Sequence, residues 1–293
     1  MGVFVLDWQN TMDDRHLIRE LEGAAHRIEI TSLGSKQIWH VWNIGADQKL
    51  ILLHGGSGSW THWVRNIRDL SNDFEVWALD IPGFGDSDLP PQAIDVDDLV
   101  PYVVEGLKEV GDGLKLNVIG FSFGGLLAGF VAAQAPDLIS RLILVGVPAL
   151  GLTGTPLSLR GIRPEMTELE VKSVYRHNLE VMMLADPNSI DEGTLELQKH
   201  NVERDRLKRR RIARGDALLK LQKDWRCPVH AIWGELDALY VGRLKQTKAS
   251  LENCQLESFD VIPSAGHWVQ YEAATEFNNC VEKIFKNIKL ERS

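Results

Sequence analysis

Ser122 stands between glycines in Gly120-Phe121-Ser122-Phe123-Gly124. This is a G-x-S-x-G arrangement, in which small flanking residues let the backbone turn tightly and hold a hydroxyl above the end of a strand. A serine hydroxyl is a poor nucleophile at neutral pH. It needs a base within hydrogen-bond reach, and that base needs a carboxylate to fix its tautomer and stabilise its charged form. Further along the chain, Asp237 in GELDALY and His267 in SAGHW supply those groups. Glu235 is the competing acid, but it is placed closer to a strand end, with a shorter expected reach toward the histidine. Attack on a carbonyl would create an oxyanion, which backbone N–H groups stabilise in a dry site. Phe123, directly after the serine, supplies one expected donor. Gly56 supplies the other, with Ser57 as its competitor.

These residues need elements to hold them. LNVIGFSFGG (116–125) reads as a buried strand, a sharp turn and a helix start. RHLIRELEGAAH predicts an N-terminal helix, and RIEITSLG with KQIWHVWNIG an antiparallel pair of strands. KLILLHGG, FEVWALD, RLILVGVP, VHAIWG and FDVI read as further strands, with helices over WVRNIRDLS, IDVDDLVPYVVEGLKEVG and EAATEFNNCVEKIFKNIKL. The strands are mostly continuous apolar runs alternating with helical patterns, which signals an α/β protein with a parallel sheet covered on both faces. From 149 to 223 the strand runs stop. Long helical patterns replace them, TELEVKSVYRHNLEVMML and DEGTLELQKHNVERDRLKRRRIAR, and read as a helical cap set into a core of residues 1–148 and 224–293. Open parallel sheets bind ligands outside the carboxyl ends of their strands. His54-Gly55-Gly56, Ser122, Asp237 and His267 all fall at such ends.

Composition narrows the partners. The 293 residues are 44% hydrophobic, enough for one large domain with an insertion, and the net charge of −9 argues against nucleic acid and against anionic membranes. The expected partner is a small molecule; a homodimer is left open. Cys227, Cys254 and Cys280 lie far apart, so neither a disulfide framework nor a zinc site is expected. The first residues, MGVFVLDWQN, lack the basic and apolar regions of a secretory signal, and LISRLILVGVPAL is too short to span a bilayer. Cytoplasmic localisation is the expectation.

HGGSGSW (54–60), DIPGFGDSD (80–88), GFSFGG (120–125), GELD (234–237) and GHWVQYE (266–272) resemble the successive signatures of the α/β-hydrolase family. The Ser, Asp, His chain order is also that of this family. The resemblance implies an eight-stranded, mostly parallel sheet, a helical cap inserted after strand six, and hydrolysis without a cofactor or metal. Serine at 122 speaks against haloalkane dehalogenases and epoxide hydrolases, which resemble this chain but place aspartate there. Within the family, GHWVQYE and the HGG opening resemble the meta-cleavage product hydrolases, which split a C–C bond in vinylogous 1,5-diketones. That group typically has asparagine before the serine, where this chain has Phe121. Phe cannot donate a hydrogen bond to a dienolate, so an esterase acting on a small, largely apolar carboxylic ester through an acyl-enzyme is the first expectation. C–C cleavage is the second. A non-catalytic ligand receptor on the same fold is the third.

Several residues carry bland readings beside functional ones. His54 is expected to order its loop by hydrogen bonding rather than to transfer protons, and Asp80 and Asp86 to hold a turn. His62, Trp60 and Trp63 line the cavity or pack. The basic run RDRLKRRRIAR reads first as a solvated helix face. If its helix runs unbroken, Arg211 and Arg214 share the inward face of Leu207 and Leu218, where either could meet a substrate carboxylate; Gly215 would end that alignment. Ser57, Phe121 and Trp268 are expected at the substrate, with Met182, Met183 and Leu184 as further wall residues.

Overall fold

A computed structural model describes residues 14–152, 156–207 and 209–291. The reading of the first residues as lacking a secretory signal lies outside the described residues. Helix α1 (Asp14–Ala24) precedes strands β1 (His26–Ser32), β2 (Ser35–Trp42) and β3 (Lys49–Leu53). A 3-10 turn at Trp60–Trp63 and the one-turn α2 (Ile67–Leu70) lead to β4 (Glu75–Asp80). Then come α3 (Val96–Gly111), β5 (Leu116–Phe121), α4 (Phe123–Gln134) and β6 (Ile139–Val145). The segment between β6 and the next strand carries α5 (Glu168–Asn178), α6 (Glu192–Glu203) and α7 (Ala217–Leu221). The chain closes with β7 (Val229–Gly234), α8 (Leu244–Ser250), β8 (Leu256–Ile262), α9 (Val269–Glu272) and α10 (Ala274–Glu291). None of the described helices is long and apolar enough to cross a membrane.

The eight strands form one sheet in the order β1-β2-β4-β3-β5-β6-β7-β8. β2 pairs antiparallel with β1 and with β4, and every other pairing is parallel. The apolar runs are buried on both faces for the reason their composition suggests. Leu50 and Leu52 of β3 face a core shared with α1, α2, α9 and α10, while Ile51 and Leu53 face one shared with α3 and α4. Each such side chain contributes about 1.5–3 kcal/mol by leaving water. After β3 the chain moves outward to β4, then crosses back to β5 on the other side of β3. That reversal opens a crevice beyond the carboxyl ends of β3 and β5, which carry the HGG loop and Ser122.

Local signals set the helix boundaries. Asp95 and Asp98 form a capping box that starts α3, and the helix continues through Pro101, which sits inside it. Thr167 and Glu170 form another at the start of α5. The expected helix over WVRNIRDLS is instead the 3-10 turn followed by α2.

The helix expected through Arg214 ends at Glu203. Its continuation is lost because backbone donors there bond to the core: Arg206 N–H to the Gly83 carbonyl at 2.9 Å, and Arg211 N–H to Asp95 Oδ2 at 2.7 Å. Arg206 also donates to the carbonyls of Phe84, Gly85 and Ser87, and Arg204 pairs with Asp86. Tertiary hydrogen bonds here outweigh helix propensity.

Candidate active site

β5 delivers Ser122 at φ 49° and ψ −114°, a conformation costly for a residue with a Cβ. Packing enforces it. A Cβ at Gly124 would lie closer than 3.0 Å to the backbone of Leu53 and His54, and one at Gly120 equally close to the backbone of Gly124 and Gly125. Glycine alone lets the start of α4 lie against the end of β3. Ser122 caps α4 without using its side chain, which leaves the hydroxyl for another partner.

That partner is His267. Its Nε2 lies 2.9 Å from Ser122 Oγ, and its Nδ1 lies 2.9 Å from Asp237 Oδ2. The loops after β5, β7 and β8 therefore bring the three predicted residues into one hydrogen-bonded line. Asp237 is fully buried and His267 is 2% exposed, so the line runs where water screens little. Asp237 Oδ1 accepts the Leu239 N–H at 2.9 Å, which fixes its other oxygen toward the histidine. Glu235 is exposed and accepts from Ser264 N–H, away from His267.

On the other side of the serine lies the HGG loop. His54 donates from Nδ1 to the Gly55 carbonyl at 2.7 Å and accepts the Ile81 N–H at Nε2, at 2.9 Å. Both ring nitrogens are thus committed to loop order, and burial lowers the imidazole pKa. Asp80 accepts from Trp60 and Asp86 N–H groups and so ties two loops together. The Phe123 N–H belongs to the first turn of α4, where backbone donors have no helical acceptor. Gly56 and Phe123 share a neighbour from the inserted segment, Arg210. Its Nε lies 3.3 Å from where a Gly56 Cβ would stand, and its guanidinium carbon lies 5.7 Å from the Phe123 ring centre.

Several residues expected at the substrate are placed elsewhere. Arg211 and Arg214 are exposed, because the inward helix face that would have carried them does not form. Ser57 donates to Asp205 Oδ2 at 2.6 Å, so its hydroxyl holds the inserted segment. Phe121 is fully buried, its ring 5.1 Å from that of His267 and 5.7 Å from that of His62. Trp268 is fully buried too, stacked on Tyr271 and donating to the His62 carbonyl. Both back the site from behind. Met183 and Leu184 are buried and Met182 half-buried in the same cluster.

One residue escaped the sequence reading and another was left undecided by it. Arg210 is held by Asp205, and its Nε is buried without a hydrogen-bond partner among the described residues. The basic run signalled an arginine, but which one faces inward depended on where α6 stopped. His62, left between lining and packing, is fully buried. Its Nδ1 accepts the Gly55 N–H at 3.2 Å, and burial, with His54 and His267 nearby, drives its pKa well down.

Comparison with known proteins agrees with this architecture. The dihydrolipoyllysine-residue acetyltransferase component of the acetoin cleaving system of Pseudomonas putida is 30% identical over 78% of the chain; the match spans 61% of that protein, less than two thirds of its length. A 2-hydroxy-6-oxononadienedioate/2-hydroxy-6-oxononatrienedioate hydrolase of Pseudomonas putida is 27% identical over 80% of this chain and 86% of its own. The solved naproxen esterase (carboxylesterase NP) from Bacillus subtilis shares the fold, with a TM-score of 0.72 at 19% identity, covering 96% of this chain and 99% of the other. The model of the alpha/beta hydrolase family matches residues 50–279, from the strand before the HGG loop to beyond His267. With that match and the eight-stranded sheet beneath it, the chain belongs to the alpha/beta hydrolase family.

Proposed function

We propose that the protein is a serine hydrolase that cleaves a small, largely apolar carboxylic ester through an acyl-enzyme. The continuous line Ser122–His267–Asp237, with two 2.9 Å hydrogen bonds, carries this reading. His267 takes the Ser122 proton as the oxygen attacks the carbonyl carbon, and Asp237 holds the imidazole tautomer and balances its charge. The N–H groups of Gly56 and Phe123 receive the oxyanion. His267 then returns the proton to the leaving alcohol and activates the water that frees the acid. The segment of residues 149–223 acts as a cap, contributing Arg210 beside the oxyanion donors. Replacing Ser122 by Ala is expected to abolish both ester turnover and labelling by a fluorophosphonate probe; full activity in that variant would end the reading.

Hydrolysis of a C–C bond in a dienoate is the second reading, favoured by Arg210. A buried guanidinium Nε next to the oxyanion donors suits a substrate carrying a carboxylate, and the Pseudomonas putida relative is named for hydrolysing such a dioate. Phe121, a fully buried ring with no donor, weighs against it. Bleaching of a chromogenic dienoate by the purified protein would favour this reading over simple ester hydrolysis.

A further inference from the structure

Glu272 ends α9, five residues after His267, and takes no part in the steps above. Its carboxylate accepts three backbone N–H groups. Oε2 receives Gly266 at 2.6 Å and Ala185 at 3.1 Å, and Oε1 receives Asp186 at 2.7 Å. Gly266 immediately precedes His267. Ala185 and Asp186 belong to the inserted segment, just after the π-helical turn Leu179–Met183 that continues α5. On the other side of the histidine, the Trp268 N–H donates to the Met183 carbonyl at 2.8 Å. Both chain neighbours of His267 are therefore bonded, directly or through one carboxylate, to residues 183–186.

The groups involved are those a helix leaves over where it stops. Met183 ends the π turn, so its carbonyl has no helical donor, and Leu184 turns to an extended conformation. The contact is too close for any side chain between: a Cβ at Gly266 would lie 2.7 Å from the Ala185 nitrogen and 3.0 Å from the Met183 oxygen. Bonds from N–H groups to a carboxylate are roughly twice as strong as neutral ones, so this junction is stiff.

We propose that Glu272 is a positioning residue that couples the seating of the inserted segment to the hydrogen bonds of His267. The inference rests on the triad reading and extends it. The histidine loop takes its place only when residues 183–186 are docked, so a segment that lifts draws His267 away from Ser122. Glu272 touches neither substrate nor the reacting atoms; it acts through Gly266.

The test compares the wild type with Glu272→Ala, Glu272→Asp and Glu272→Gln well below their melting temperatures. One readout is the low-field proton resonance of His267 Nδ1–H in its bond to Asp237, assigned by its loss in His267→Ala. The other is the rate of fluorophosphonate labelling at Ser122. Ala should broaden or shift the resonance and slow labelling by about 10- to 100-fold, the scale of a displaced catalytic group. Asp, one methylene short of bridging both sides, should lie near Ala. Gln, whose oxygen still accepts from Gly266 and Ala185, should keep the resonance and lose less than about tenfold. A role in stability alone would lower the melting temperature and leave both readouts unchanged; that result overturns the inference. If Ala does not fold, Asp and Gln decide it by the same criteria. If the wild type is not labelled, the serine hydrolase reading fails, and the resonance alone decides: its persistence in Ala and Asp overturns the inference.

Discussion

The strand-end loops of the core and the inserted segment between β6 and β7 meet at one site but are fixed by different physics. At the elbow, backbone packs on backbone: α4 lies against the end of β3 with no room for a Cβ at Gly124. The inserted segment is held largely by hydrogen bonds, among them carboxylates accepting backbone N–H groups, Asp95 from Arg211 and Ile212 and Glu272 from Ala185 and Asp186, though at Gly266 its backbone also comes too close for a Cβ. Close backbone approach leaves a mark in a sequence, because it demands glycine. A carboxylate that reaches across a hundred residues leaves none. The first kind of contact tolerates no added atom, while the second gives way one bond at a time.

Substitutions can break or sharpen this contrast. His267→Ala should lower kcat/KM toward an activated ester by about 10³- to 10⁶-fold, since it removes the group joining the two halves of the line; a loss below about tenfold would separate the core geometry from activity. Gly124→Ala forces a methyl into the Leu53 and His54 backbone and should cost about 2–4 kcal/mol in urea unfolding. The matching change in the inserted segment, Gly161→Ala, meets nothing within 4 Å and should stay within about 0.5 kcal/mol of the wild type. If the two cost the same, the contrast is wrong.

Arg210→Gln should raise KM about tenfold for a half-ester bearing a free carboxylate and little for its neutral methyl counterpart, the worth of one charge-assisted bond. The same change at exposed Arg211 or Arg214 should leave that ratio unaltered.

The last expectation concerns stability in acid rather than turnover. His54 and His62 have folded pKa values lowered by burial, so the unfolded chain takes up protons that the native one refuses. Stability should therefore fall as pH drops below about 6.5, by up to about 1.4 kcal/mol per pH unit for each histidine until its folded pKa is reached. Urea midpoints at descending pH check this, and His62→Asn should flatten the slope.

The same contrast explains what could be read from the residues alone. Apolar runs, helical spacing and the glycines around Ser122 are local signals, and they foretold the sheet, most helices and the three residues of the hydrogen-bonded line. Arg211 and Arg214 failed because their alignment assumed a helix whose backbone donors are claimed by Asp95, a partner 116 residues distant. Phe121 and Trp268 were legible as site neighbours, but not on which side of the histidine they stand. Only the packing of Trp268 on Tyr271, with His62 beyond, turns them from walls into backing.

Tyr271 extends that backing to the first residue of α1. Its hydroxyl donates to Asp14, a buried carboxylate that Arg65 grips with two bonds of 3.0 and 2.9 Å while lying 3.7 Å over the tyrosine ring. Trimming the chain past Asp14, or a protease cutting within α1, would remove a charge whose partner stays behind, at a cost of about 3–5 kcal/mol for a fully buried pair and less here, where Arg65 is 30% exposed. The damage would surface far from the cut, as slack in the stack of rings on which the histidine leans. A variant lacking its first fourteen residues would then look like an active-site mutant.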